Sequence, residues 1–254
     1  MAPRPALQKT IGLLGGCSNV ATAEYYRFLN DAVNARLGGW DIAETLIAGM
    51  NFGNIEAFVR GDDWDGLSRY MQTKIDALVA GGADVVLCVS NTLHKPLEGL
   101  MAQAPIPMIH IADPTGAAMR DQGLTRVALF GTRPVMQMAY LKDRFHQKFG
   151  VEAISPTEAE QAEIDRIIFD ELVKGDLKPA SKARYLDIAA RMRDEGGAQG
   201  LILGCTEIFL LVAQADMPDF PMFNTAKLHC DAAVDFALAA ATGPGARPTP
   251  RTSR

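Results

Sequence analysis

Two stretches of the chain repeat one device, and the device points to parallel α/β architecture. The first is Asp84-Val-Val-Leu-Cys-Val-Ser90-Asn91-Thr92-Leu-His94; the second is Gly200-Leu-Ile-Leu-Gly204-Cys205-Thr206-Glu207. Each is an apolar run that stops at a small nucleophilic residue, followed by Thr and a helix-like segment. Short continuous apolar runs of this kind suit strands buried on both faces. Open α/β sheets bind ligands beyond the carboxyl ends of their strands, which is where Ser90 and Cys205 fall.

The openings of the two halves match as well. Leu13-Leu14-Gly15-Gly16 begins one and Leu129-Phe130-Gly131-Thr132 begins the other. Gly15 to Ser90 is 75 positions (90 less 15), and Gly131 to Cys205 is 74 (205 less 131). Short apolar strands alternate with amphipathic stretches throughout, the pattern of parallel sheets flanked by helices. Strands are expected at 11–15, 44–49, 85–89, 108–111, 126–130, 152–155, 201–204 and 221–223. Helices are expected at 21–36, 64–80, 95–102, 135–149, 158–174, 181–195 and 226–241. The fold class is therefore α/β, with two similar domains, each a mainly parallel sheet with helices, related by a pseudo-twofold axis and facing a common cleft. The last helix is assigned to the first domain, because chain termini tend to lie close together. This gives residues 1–114 plus 226–242 as one domain and 115–225 as the other. The Pro-, Gly- and Arg-rich tail 243–254 is expected to be disordered.

Bulk properties narrow the function. Hydrophobic residues are 48% of the 254, ample for a sizeable core. A net charge of −5 argues against a nucleic-acid partner, which needs a basic face. No apolar run reaches the roughly 20 residues of a membrane span, and the N-terminus has no secretory h-region. The four cysteines, Cys17, Cys88, Cys205 and Cys230, have neither CxxC spacing nor a Cys/His cluster. No metal site or disulfide scaffold is expected, and reduced thiols fit a cytoplasmic protein.

Cys205 is the leading candidate for chemistry. Preceding Thr206-Glu207, it is expected at a helix N-terminus, where the dipole favours the thiolate. The competing reading is a small buried hydrophobe. Ser90-Asn91-Thr92 reads either as a helix N-cap or as a site, and its pairing with Cys205 in the repeat favours the site. Asn91, Thr92 and Thr206, with backbone N–H groups, suit a carboxylate. Gly15-Gly16-Cys17-Ser18 lacks the full dinucleotide-binding pattern and the P-loop lysine, so a nucleotide is poorly supported. Gly16 and Ser18 are instead expected to form an anion-binding nest, with Cys17 a spectator. Gly131-Thr132 is the matching turn. Lys174 is either a surface lysine at a helix end or a fixed cation for a substrate carboxylate. His94 and His229 are acid–base candidates or internal hydrogen-bonding groups.

At these residues the chain resembles the aspartate/glutamate racemase family, whose members work without pyridoxal phosphate. The resemblance rests on Ile11-Gly-Leu-Leu-Gly-Gly-Cys-Ser-Asn-Val-Ala-Thr-Ala-Glu-Tyr-Tyr26, Ser90-Asn-Thr-Leu-His94, Leu129-Phe-Gly-Thr132, Lys174-Gly175 and Leu203-Gly-Cys-Thr-Glu207, in family order over nearly all of 11–240. It implies two α/β domains with the site between them, no cofactor, a small amino-acid substrate and a homodimer. It also implies that one cysteine removes the Cα proton and another returns a proton from the opposite face. Cys205 matches one of these, and Ser90 stands where the other is expected. Cys88, two residues earlier, lies about 7 Å back along the strand. The subgroup with a hydroxyl residue in place of the first cysteine is the nearest match. With Asn51, Thr132 and Lys174 among the binding residues, the resemblance implies an acidic substrate handled unequally as its two enantiomers. Two departures stand out: the 49–56 segment has no Arg for a side-chain carboxylate, and Asn224-Thr225 replaces an Asp-Thr pair.

The same architecture also serves arylmalonate decarboxylases, which use one thiol, maleate isomerases and hydantoin racemases. A non-catalytic amino-acid-binding protein is the alternative of a different class.

Overall fold

Two parallel sheets organise the chain, which the computed structural model describes over residues 8–239. In the first, β1 (Ile11–Gly15) lies between β2 (Thr45–Gly49) and β3 (Val85–Cys88). In the second, the order is β5 (Glu152–Ile154), β4 (Arg126–Phe130), β6 (Leu201–Leu203) and β7 (Met222–Asn224). Every pairing is parallel. The apolar runs read from the sequence are fully buried strands: all residues of β1, β3 and β6 are buried. Burial of each such Leu, Ile or Val side chain contributes about 1.5–3 kcal/mol.

The helices are α1 (Asn19–Leu37), α2 (Phe52–Arg60), α3 (Trp64–Ala80), α4 (His94–Met101), α5 (Ala112–Asp121), α6 (Arg133–Gln137), α7 (Ala139–Phe149), α8 (Glu158–Asp170), α9 (Pro179–Asp194), α10 (Ile208–Leu211) and α11 (Thr225–Leu238). α11 is buried with the first sheet: Ala226, Cys230, Ala233, Val234 and Ala237 share a core with Ile11, Leu13, Tyr25, Leu29, Val85 and Leu87. Beyond α11, the end of the expected last helix and the tail 243–254 lie outside the described residues.

Several expected elements differ. The strand at 108–111 is reduced to one bridge, Val86 with Met108. Pro105 and Pro107 just before it remove backbone donors that a ladder needs. The single helix expected over 135–149 is two, because Met138 is extended (φ −73°, ψ 140°). Ser155 Oγ donates to Met136 O at 2.6 Å, supplying a partner for one carbonyl at the break. The helix expected to reach Lys174 stops at Asp170 and continues as a 3-10 turn, Leu172–Lys174, ended by Gly175 at φ 74°. α2 and α5 were not anticipated, although α2 carries a local signal: Asn51 Oδ1 accepts from Gly53 N–H at 2.9 Å as an N-cap.

Candidate active site

The strand ends of the two sheets meet at a cavity of about 610 Å³. Ser90, Asn91 and Thr92 reach it from beyond β3, Thr132 from beyond β4, and Gly204, Cys205, Thr206 and Glu207 from beyond β6. Thr92 Oγ1 and Thr132 Oγ1 are 3.1 Å apart, linking the two sheets across the floor. Helices supply apolar lining: Phe52, Ile55 and Val59 on α2, Ile168 and Phe169 on α8, and Val173 just after it. The rings of Phe52 and Phe169 stack at 6.2 Å with an interplanar angle of 10°.

Glu207 organises the polar floor. Its Oε2 accepts from Cys205 Sγ and from Thr206 Oγ1, each at 3.0 Å, and its Oε1 accepts from Ser18 Oγ at 2.6 Å. All four side chains are buried, so this carboxylate is desolvated but well supplied with donors. The expected dipole effect on Cys205 does not appear. The helix that follows, α10, is a single turn, and its N-cap position is Glu207. Burial first, then the Glu207 charge, push the Cys205 thiol well above the usual cysteine range. The thiol is therefore protonated at rest, with a carboxylate placed to receive its proton.

Ser90 is buried and lines the cavity, and its Oγ also accepts from Leu93 N–H at 3.4 Å. Ser90 is thus both a cap-like acceptor and a cavity-lining residue. Asn91 Nδ2 donates to Thr225 Oγ1 at 3.2 Å, and its carbonyl accepts from Tyr140 OH. Thr225 Oγ1 donates on to Leu203 O at 2.8 Å. Asn224 caps α11, accepting from Lys227 N–H at 3.1 Å.

Four expected binding residues do not line the cavity. Gly16 has φ 94°, and a Cβ there would lie 2.1 Å from Met50 O; its N–H donates to Thr22 Oγ1 at 2.8 Å. The proposed nest is thus satisfied by protein groups, and Ser18 serves Glu207 instead. Asn51 caps α2, and Lys174 is exposed at the end of the 3-10 turn. His94 and His229 also stand back from the cavity, in a buried cluster with His110. His94 Nδ1–H donates to Ser90 O at 2.6 Å and its Nε2 accepts from Ile111 N–H at 3.2 Å. Burial drives the pKa of His94 down and those of His110 and His229 to about 3. These rings are neutral hydrogen-bonding groups, and His94 braces the Ser90 turn.

Sequence reasoning missed Glu56, Arg60, Arg133, Asp165 and Glu207, and it passed over Cys17, all of which line the cavity. Arg60 Nε pairs with Glu56 Oε2 at 2.9 Å. Arg133 N–H donates to Asp165 Oδ1 at 2.7 Å, while its guanidinium has no ion pair among the described residues. Glu207 was visible two positions after Cys205. Arg60 was hidden because α2 was not expected. Among the described residues no group of three His, Cys, Asp or Glu is placed to hold a metal ion, and no helix is long and apolar enough to cross a membrane.

A sequence profile of the family described as Asp/Glu/Hydantoin racemase matches residues 14–233. The fold is similar to that of a Yersinia pestis protein assigned to the Asp/Glu racemases (TM-score 0.82, 35% identity, covering 91% of this chain and 99% of that one). It is also similar to an aspartate racemase homologue from Pyrococcus horikoshii (TM-score 0.78, 28% identity, 90% and 98%). A glutamate racemase from Francisella tularensis crystallised with D-glutamate shares the fold at 14% identity (TM-score 0.64, 94% and 85%).

Proposed function

The chain belongs to the Asp/Glu/hydantoin racemase family, and from that premise we propose that it racemises an acidic amino acid without a cofactor, moving the Cα proton through Cys205. One observation carries the reading: a buried thiol and a buried carboxylate share a hydrogen bond at the wall of a cavity of substrate size. Glu207 takes the Cys205 proton as substrate binds, and the thiolate then removes the Cα proton. Thr92, Thr132 and Thr206 offer hydroxyls, and loop N–H groups offer further donors, for the substrate carboxylate and the enolate that develops from it. The stacked aromatic pair limits water, which strengthens each of these interactions. Arg133 supplies the cation for the second carboxylate that the 49–56 segment lacks. Ser90 faces the site from the other sheet and is a poor base, so the two enantiomers react unequally.

The packing of α11 on the first sheet supports reading residues 1–114 plus 226–242 as one domain and 115–225 as the other. We read the protein as a homodimer joined at the edge strand β2. There Ile47 is 47% exposed, while Trp40 and Ile42 just before the strand are 92% and 52% exposed.

The test is incubation of each enantiomer of aspartate and glutamate in D₂O, followed by chiral chromatography and proton NMR. Inversion with deuterium at Cα supports the reading, and its loss in Cys205→Ala assigns the thiol. No exchange from any of the four sinks it. The stacked Phe52 and Phe169 rings favour a second reading, a single-thiol decarboxylase for an aryl-substituted diacid. CO₂ release from a phenylmalonate without amino-acid exchange would select it.

A further inference from the structure

A second thiol borders the same cavity. Cys17 follows the Gly15-Gly16 turn at the end of β1, and Ser90 follows β3. β1 and β3 are paired neighbours, with Leu14 opposite Cys88, so the segments leaving them emerge side by side from one sheet. Cys205 follows β6 and enters from the other sheet. Cys17 and Cys205 therefore reach the cavity from different sheets. The Ser90 hydroxyl bears directly on the Cys17 thiol, and Ser18, the next residue, donates to Glu207. The remaining cysteines do not compete: Cys88 and Cys230 are fully buried in the cores and do not line the cavity.

We propose that Cys17 is the proton-transfer group on the face of Cα opposite Cys205, with Ser90 as its hydrogen-bonding companion. The inference rests on the racemase reading and deepens it. A thiol is a far stronger acid than a serine hydroxyl, so it is the better donor to a carbanion. In one direction the Cys205 thiolate takes the Cα proton, the electron pair passes into the enolate, and the Cys17 thiol delivers its proton to the other face. This leaves Cys17 as thiolate and Cys205 as thiol, and exchange with solvent resets both. Burial holds the Cys17 thiol at about 12, so it begins as the protonated donor this direction requires. The reverse direction must first ionise Cys17, whose immediate partner is a hydroxyl and not a carboxylate.

The experiment uses the full-length protein with Cys17→Ala, Cys17→Ser and Ser90→Ala, each given single enantiomers of aspartate and glutamate in D₂O. Both Cys17 variants should lose inversion by about 100-fold or more. They should still place deuterium at Cα of one enantiomer with retention, within tenfold of the wild-type rate, because Cys205 takes and returns a proton on its own face. That residual exchange also reports a folded site. Ser90→Ala should slow inversion, but less than either Cys17 variant, because the thiol proton that inversion needs is still present. Inversion near the wild-type rate in either Cys17 variant would overturn the assignment. So would loss of both exchange and inversion in the two variants with melting temperature unchanged, or loss of inversion in Ser90→Ala alone. A wild-type protein that exchanges none of the four acids removes the racemase reading itself, a separate outcome.

Discussion

Cys205 Sγ donates to Glu207 Oε2 at 3.0 Å, a thiol held neutral first by burial and then by the carboxylate it would hand its proton to. The relationship gives Glu207→Gln two effects of opposite sign. Removing the charge lowers the Cys205 pKa, so alkylation by iodoacetamide at pH 8 should speed up several-fold. Removing the proton acceptor should slow racemisation about 100-fold or more. Peptide mapping and turnover on the same preparation check both; parallel changes would show that the carboxylate is only structural.

Ser18→Ala tests the support of that carboxylate. Ser18 Oγ donates to Glu207 Oε1 and caps α1 by accepting from Ala21 N–H at 3.3 Å. The cap is worth about 1 kcal/mol, and losing a donor to a buried charged group adds about 1.5–3 kcal/mol. Urea unfolding should show a loss of about 2.5–4 kcal/mol, with kcat falling more than KM rises.

Arg133→Ala should discriminate between substrates. Arg133 lines the cavity, and its guanidinium has no ion pair among the described residues. KM for aspartate or glutamate should rise about tenfold or more, as expected for a lost charge-assisted contact, with kcat changed little. An equal effect on alanine would assign Arg133 to the α-carboxylate.

The histidine cluster sets acid stability. Tyr25 OH donates to His229 Nδ1 at 3.0 Å and His229 Nε2–H donates to Ile109 O at 2.8 Å, so the ring is satisfied as the neutral form. Below pH 6.5 the unfolded chain protonates its histidines, while folded His110 and His229 stay neutral to about pH 3. The unfolded state binds more protons, so stability falls as pH drops through this window, by about 1.4 kcal/mol per unit for each such residue. Urea midpoints between pH 7.5 and 5 should show the decline, and His229→Gln should flatten its slope by about one proton.

Trp40→Asp tests the dimer. A ring 92% exposed beside an edge strand is costly on a free surface and useful in an interface. Light scattering should find a dimer for the wild-type protein and a monomer for the variant, with the far-UV spectrum preserved.

Much of the fold was legible because its signals are local. The runs at 85–88 and 201–203 read as buried strands because a fully enclosed strand must be apolar on both faces, and the repeat placed Ser90 and Cys205 at comparable ends. The helix break at Met138 and the loss of the 108–111 strand depend on neighbours distant in sequence or on missing donors. α2 had an Asn51 cap and the Ile55/Val59 spacing, but its short length hid the cavity-lining Arg60.

From sequence alone came the α/β class, the family resemblance and the two segments that bring a thiol and a hydroxyl to strand ends. Tertiary structure decided which groups share the cavity and in what protonation state. It turned Ser18 and Gly16 inward, left Lys174 outside, set Glu207 against Cys205 and brought Cys17 to the same cavity. The reason is physical: hydrophobic periodicity is written along the chain, whereas desolvation and charge pairing depend on what packs across the cleft.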